Sequence, residues 1–246
     1  MDPVSAPRLG DLKQRMPAAR RRRQLLEVSL DRFAARGFHD TSMEEIAEAA
    51  GVTKPVLYQH FSSKRGLFRE LLDTVGQELL GEVTRRAAAE DHPYHQVLAG
   101  FRAYFRFVAT RTNAFRLLFG SGARSNEEFA DSVRSLEESM ARTIAGFIVA
   151  DIDDSHRELL GYAIVGLAEV AARRWVLAHG GDTSPPGATG GGERAGVAGR
   201  PDRGRVPEGA VAARAEAEVL ALRLADLAWA GLRGLPGGAS PRSATP

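Results

Sequence analysis

The sequence predicts an all-α fold, and three observations carry that expectation. Apolar residues recur at spacings of three and four along most of the chain. Ser, Pro and Gly stand where helices would start and stop. No credible strand-length run interrupts the rhythm.

Residues 1–16, with Pro3, Pro7 and Gly10, read as a flexible tail. From Pro17 the pattern turns helical, with Leu26, Leu30, Phe33 and Ala34 on one face and Gly37 placed to end it. Ser42 followed by Glu45 is a capping box that opens a short helix through Ala50, closed by Gly51. A third short helix spans about Lys54 to His60. Ser62 or Ser63 then caps a long fourth helix whose inner face holds Leu67, Phe68, Leu71, Leu72, Val75 and Leu79.

Pro93 is a first-turn proline, followed by Val97, Phe101, Tyr104, Phe105 and Val108. A short piece carries Phe115, Leu118 and Phe119 and ends at Gly120. Phe129 to Phe147 keeps the helical period for five turns. The segments 155–179 and 211–234 are apolar on more than one face, which implies burial on two sides. Between them, Gly180 to Gly209 holds ten Gly and four Pro, too little apolar surface to offset ordering, so a disordered loop is expected at 180–209.

The chain has 246 residues, 43% of them hydrophobic, and no cysteine. A real core is affordable at that length, and disulfides, thiolate metal sites and thiol nucleophiles are excluded. No apolar stretch is long enough to span a bilayer and no signal-peptide core opens the chain, so a cytoplasmic, nucleoid-associated protein is expected. Residues 1–65 carry 12 Lys/Arg against 8 Asp/Glu, whereas the rest carry 21 against 23. A basic head on a nearly neutral body suits a polyanion partner.

Residues 42–61 read SMEEIAEAAGVTKPVLYQHF. Two short helices around a Gly51-Val52 turn, sharing Ile46, Ala47, Val52, Leu57 and Phe61, make a helix-turn-helix unit. The second helix of such a unit reads the DNA major groove, and here it offers Thr53, Lys54, Tyr58, Gln59 and His60. Val56 is placed for a thymine methyl, and Lys64 opens the next helix, where phosphate is favoured. Arg22 and Arg23, from the run Arg20–Arg23, precede this unit and suit phosphate or the minor groove.

From about Arg22 to Leu72 the chain resembles the TetR family of transcriptional regulators. Phe33, Gly37, Phe38, Thr41-Ser42, Ile46-Ala47, Gly51-Val52-Thr53 and the run Leu57-Tyr58-His60-Phe61-Lys64-Leu67 carry the resemblance. It implies nine or ten helices, a helix-turn-helix domain over 17–64, a ligand-binding and dimerisation domain over 65–235 and a tail at 236–246. It further implies a homodimer through the last two helices, a palindromic operator, and release of DNA when a small hydrophobic or amphipathic effector moves the fourth helix. Repression is the commoner outcome in the family. Carried over by position, Thr53, Lys54, Tyr58, His60 and Lys64 form the DNA-contacting set, joined by Thr41 and Ser42. Glu44 departs from relatives that place a basic or hydroxyl residue there.

For the effector, Leu72, Phe101, Tyr104, Phe105, Arg116, Phe119 and Phe147 are the candidate lining, Tyr104 and Arg116 bringing polar tips among apolar neighbours. For the dimer contact, alternating small and large residues select Gly161, Ile164, Ala168, Trp175, Leu220, Leu224 and Ala228. His92 and His95 beside Asp91 read as a helix cap with a first-turn proline rather than a metal pair, and Gly190 to Gly192 lacks the Lys-Ser/Thr of a phosphate loop. No cofactor is expected, and no catalytic arrangement of Ser, His and Asp or of paired carboxylates recurs, which sets an enzyme aside. An architectural DNA-binding protein with the same head and no effector remains the alternative.

Overall fold

The computed structural model describes residues 17–120, 123, 127–179 and 208–237. Among these, the chain forms nine helices and no strand: α1 (Ala18–Arg36), α2 (Met43–Ala49), α3 (Lys54–His60), α4 (Lys64–Ala88), α5 (Pro93–Thr110), α6 (Thr112–Phe119), α7 (Glu127–Phe147), α8 (Asp154–His179) and α9 (Glu208–Leu232). The sequence-expected tail over 1–16 and most of the 180–209 loop lie outside the described residues. Glu208 and Gly209 are helical, so α9 begins earlier than the composition suggested.

The local signals resolve as physical chemistry requires. Ser42 accepts from the Glu45 amide at 3.1 Å while the Glu45 carboxylate accepts from the Ser42 amide at 2.8 Å, closing the capping box of α2. Those bonds hold the Glu45 carboxyl below its ordinary pKa. Ser63, not Ser62, caps α4, its hydroxyl accepting from the Gly66 amide at 3.0 Å. His92 is the N-cap of α5, with its Nδ1 accepting from the Tyr94 amide at 3.2 Å.

In the body, α4 packs on α5 and α7, α7 on α8, and α9 chiefly on α5. The head does not end at α3, because Phe68 of α4 and Phe129 of α7 complete its core. Phe68 meets Phe33 edge-on at 4.9 Å, and Phe129 lies 4.8 Å from Phe38 and 4.5 Å from Phe68. All four rings are buried.

α7 and α8 approach closely, and the approach depends on Gly161. A Cβ at that position would stand 2.2 Å from the backbone oxygen of Ala141, which cannot yield as a side chain would. We therefore expect Gly161→Ala to lower stability by about 1–3 kcal/mol, through overpacking. In a chain of this size that is a fall of roughly 5 °C in Tm, checked by calorimetry.

The same packing sets three of the expected dimer residues inside the protomer. Gly161, Ala168 and Trp175 are buried inside the protomer, and Ile164, Leu220, Leu224 and Ala228 are half-buried against its own core. Small residues do mark a close approach here, but its partner is α7 of the same chain. The outward arc of α8 carries Leu159, Tyr162, Val170 and Leu177, 66%, 41%, 66% and 79% exposed, and α9 adds Val219 and Leu227.

Candidate functional site

Gly51 turns the chain between α2 and α3 with φ +65°, a left-handed conformation costly for a residue bearing Cβ. The Val52 amide donates to the Ala47 carbonyl at 2.9 Å and closes the turn. Ile46 and Leu57, both fully buried, lock the two helices together. That fixes which side of α3 faces out. Thr53, Lys54, Tyr58 and Gln59 are exposed, Val56 and His60 are half-buried, and Thr53 spends no hydroxyl bond on capping its own helix. Tyr58 is 43% exposed although no part of its ring is needed for the core. A short helix with its apolar side sunk and a row of hydrogen-bonding side chains projecting suits the major groove.

Several cations expected at DNA are engaged elsewhere. Lys64 Nζ donates to the carbonyls of Phe38, His39 and Thr41 at 2.8, 3.2 and 2.9 Å and lies 4.5 Å from the Phe38 ring centre. An ammonium has three protons, and these carbonyls take all of them. Lys64 thus ties the start of α4 to the α1–α2 turn. Thr41 is buried and its hydroxyl donates to the Gly37 carbonyl at 2.8 Å, so it holds the same turn.

Arg22 is likewise turned inward. Its Nε donates to Glu70 at 2.8 Å, Nη2 to the other carboxylate oxygen, and Nη1 to the His60 carbonyl, with the guanidinium 4.4 Å from the Phe61 ring centre. This fork joins α1, the end of α3 and α4. Arg23 stays exposed. Ser42 is the α2 cap already described.

Glu44, the departure noted in the sequence, accepts from Lys54 Nζ at 2.7 Å. The carboxylate raises the Lys54 pKa and steadies its ammonium at the first turn of α3. Glu44 therefore has its charge offset by Lys54 at the start of α3.

Residues 25–71 match the family model for bacterial regulatory proteins of the tetR family. A transcriptional activator of Mycolicibacterium smegmatis, FasR, is 31% identical over 164 residues, covering 66% of this chain and 75% of that protein. The chain belongs to the TetR family. It is a DNA-binding transcriptional regulator and not an enzyme. The HTH-type transcriptional regulator TcmR of Streptomyces glaucescens is 29% identical over 187 residues, 70% of this chain and 80% of its own. A TetR-like regulator from Rhodococcus sp. RHA1 has the same fold at 24% identity and a TM-score of 0.64, covering 89% of this chain and all of its own. FadR from Bacillus subtilis, solved in complex with stearoyl-CoA, shares the fold at 14% identity and a TM-score of 0.63, over 85% and 98% of the two chains.

The body of this TetR regulator encloses a cavity of about 100 Å³ between α4, α5, α7, α8 and the end of α9. Of the expected lining, Phe101, Tyr104 and Phe147 are there. Leu72, Phe105 and Phe119 are instead buried in the packed core, and Arg116 sits on α6 away from the cavity wall. Met140, Ile144, Ile164, Trp229 and Arg233 are among the other lining residues and were not read as pocket residues. Ile144 was legible as periodic core. Trp229 and Arg233 were hidden because the last helix read as interface. Among the described residues no helix is long and apolar enough to cross a membrane, and no group of three His, Cys, Asp or Glu is placed to hold a metal.

Proposed function

We propose that this regulator is a homodimeric repressor that holds a palindromic operator in the cytoplasm, on the nucleoid, and lets go when a small hydrophobic or amphipathic effector enters its body cavity. Reading by Thr53, Lys54, Val56, Tyr58, Gln59 and the His60 ring, with Arg23 and Ser42 at the flanks, is part of the proposal. The observation that carries it is α3, whose buried Leu57 side leaves Tyr58 and its neighbours projecting in one row.

Two structural facts support coupling between cavity and reader. The cavity is smaller than the roughly 300–1,000 Å³ that drug-sized ligands fill, so an effector must push its walls apart. One wall is Val83 and Ala87 near the end of α4, while the start of the same helix carries the Lys64 and Glu70 ties to the head. A continuous helix of about 37 Å transmits displacement from one end to the other. The division into a head over 17–64 and a body over 65–235 belongs to this reading. An architectural protein would have no use for such a cavity.

The test is a pair of measurements on Tyr58→Ala. Footprinting of the parent should protect an inverted repeat with half-sites about 34–36 Å apart or somewhat more. Each half-site of the variant loses about 1–3 kcal/mol, so the dimer should bind at least roughly 30-fold more weakly with an unchanged melting curve. Equal operator affinity in the two proteins would remove α3 as the reader.

A further inference from the structure

Packed helices close the cavity on most sides: α5 and α7 lie on α4, α8 on α7, and α9 on α5. One seam differs. α9 packs little on α8, and its end faces the α7–α8 connection with the cavity between them. Ile148 and Val149 line that seam from the connection, and Trp229, Leu232 and Arg233 line it from the α9 side. Val149 is exposed although it belongs to the wall, so the cavity reaches the surface here. The two banks are held differently. Arg157 of α8 fixes the connection, its Nε donating to the Ile148 carbonyl at 3.2 Å and its Nη2 to those of Ala150 and Ile152 at 3.1 and 3.2 Å. Its Nη1 donates to Asp154 at 2.6 Å. Past α9 the chain curls over, the Gly234 and Leu235 amides donating to the Gly231 and Leu232 carbonyls at 3.2 Å. It then meets the connection through one bond, from the Asp151 amide to the Pro236 carbonyl at 2.7 Å. Among the described residues no other hydrogen bond joins the two banks. Gly237, left-handed at φ +66°, lies against Asp151.

We infer that this seam is the effector's way in, and that the Asp151–Pro236 bond is the clasp that holds it shut. This rests on the cavity reading above and adds the route of entry and its control. Asp151 and Pro236 are both exposed, so water takes up the amide and the carbonyl when the bond breaks, and opening costs little. Parting the clasp frees Leu232 and Arg233 to swing away from Ile148 and Val149. The rest of α9 stays behind, because Trp229 packs 6.0 Å from the Tyr94 ring and Asp226 accepts from the Tyr94 hydroxyl at 2.9 Å. The connection stays on Arg157. Such a clasp governs how fast a ligand comes and goes rather than how tightly it is held, since both directions need the opening.

The chain has no cysteine, so Asp151→Cys combined with Gly237→Cys puts the only two thiols of the full-length protein at the clasp. A Cβ at Gly237 would stand 3.0 Å from that of Asp151, and a disulfide spans about 3.5–4.5 Å, a difference that two exposed segments can yield. Stopped-flow binding of dansylamide, a neutral probe excited by transfer from tryptophan, is followed in the oxidised and reduced forms. The part of the transfer lost in Trp229→Phe measures occupancy of the cavity. Oxidation should slow association and dissociation alike, by about tenfold or more, at unchanged affinity, and reductant should restore both rates. Gly237→Ala, which sets a Cβ against Asp151, should speed both rates about threefold to tenfold, the worth of one hydrogen bond. Both positions are exposed, so neither variant endangers the fold. Equal rates with and without the disulfide, in a signal that depends on Trp229, overturn the clasp and leave the cavity reading standing. A disulfide that alters affinity but not the association rate does the same, as does failure of the two cysteines to bridge within one chain. Absence of any Trp229-dependent signal in the parent overturns both readings.

Discussion

Arginine in place of Val170 should convert the regulator from dimer to monomer and abolish tight operator binding, while the protomer stays folded. Val170 is exposed on the outward arc of α8, between Leu159, Tyr162 and Leu177, and nothing among the described residues covers it. That stripe runs for about 27 Å of helix, longer than scattered surface apolars would. Covered by a symmetric copy, it makes an isologous contact in which each protomer buries the same residues. A buried unpaired charge costs about 3–5 kcal/mol, and the two-fold axis applies it twice. Dimer dissociation should rise by at least roughly ten-thousandfold. Sedimentation at micromolar concentration and a gel shift on the operator decide it: a Val170→Arg dimer with parental affinity would place the contact on another face. Leu224, one of the dimer residues expected from the sequence, is half-buried against its own core, so a charge there would damage the protomer first.

Lys64→Met should unfold more easily in the absence of DNA. Three carbonyls lose a charged donor and the Phe38 ring loses its cation. Hydrogen bonds to charged groups contribute about 1.5–3 kcal/mol each when buried, but water replaces part of that at this half-buried site, leaving a cost of about 2–3 kcal/mol. The thermal midpoint should therefore fall by roughly 5–10 °C. A lysine that served only as a phosphate ligand would behave in the opposite way. Its loss would leave the melt untouched and reduce the salt dependence of operator binding by about one counterion. Circular dichroism of the free variant and a salt titration of its complex separate the two.

What the sequence made legible follows from range. Caps, the Gly51 turn and helix periods are set by neighbours within four or five residues, and the head formed as those signals required. The exposed row on α3 was legible for the same reason. The fate of Arg22 and Lys64 was not, because a guanidinium or an ammonium suits phosphate and carbonyl equally. Their partners, Glu70 and the Phe38 turn, lie 48 and 26 residues away. The outward apolar arc of α8, the proposed dimer face, escaped for a related reason. Periodicity shows that α8 is apolar around most of its girth, but only the packed chain shows that the Gly161 arc belongs to α7. The cavity could be anticipated as aromatic and apolar, yet Arg233 reaches it only through the docking of α9 on α5.

The ring cluster of Phe33, Phe38, Phe68 and Phe129 decides how far this reader is portable. Two of its four rings come from helices beyond the motif, one of them more than sixty residues downstream of α3. A fragment cut after α3 would open that seam to water and forfeit about 1.5–3 kcal/mol for each ring left uncovered. Chimeras made by grafting this head onto a foreign body should therefore succeed only where the recipient supplies an aromatic side chain at the place of Phe129. Hydrogen exchange in α1 should accordingly be as slow as in α7, because neither can open without the other.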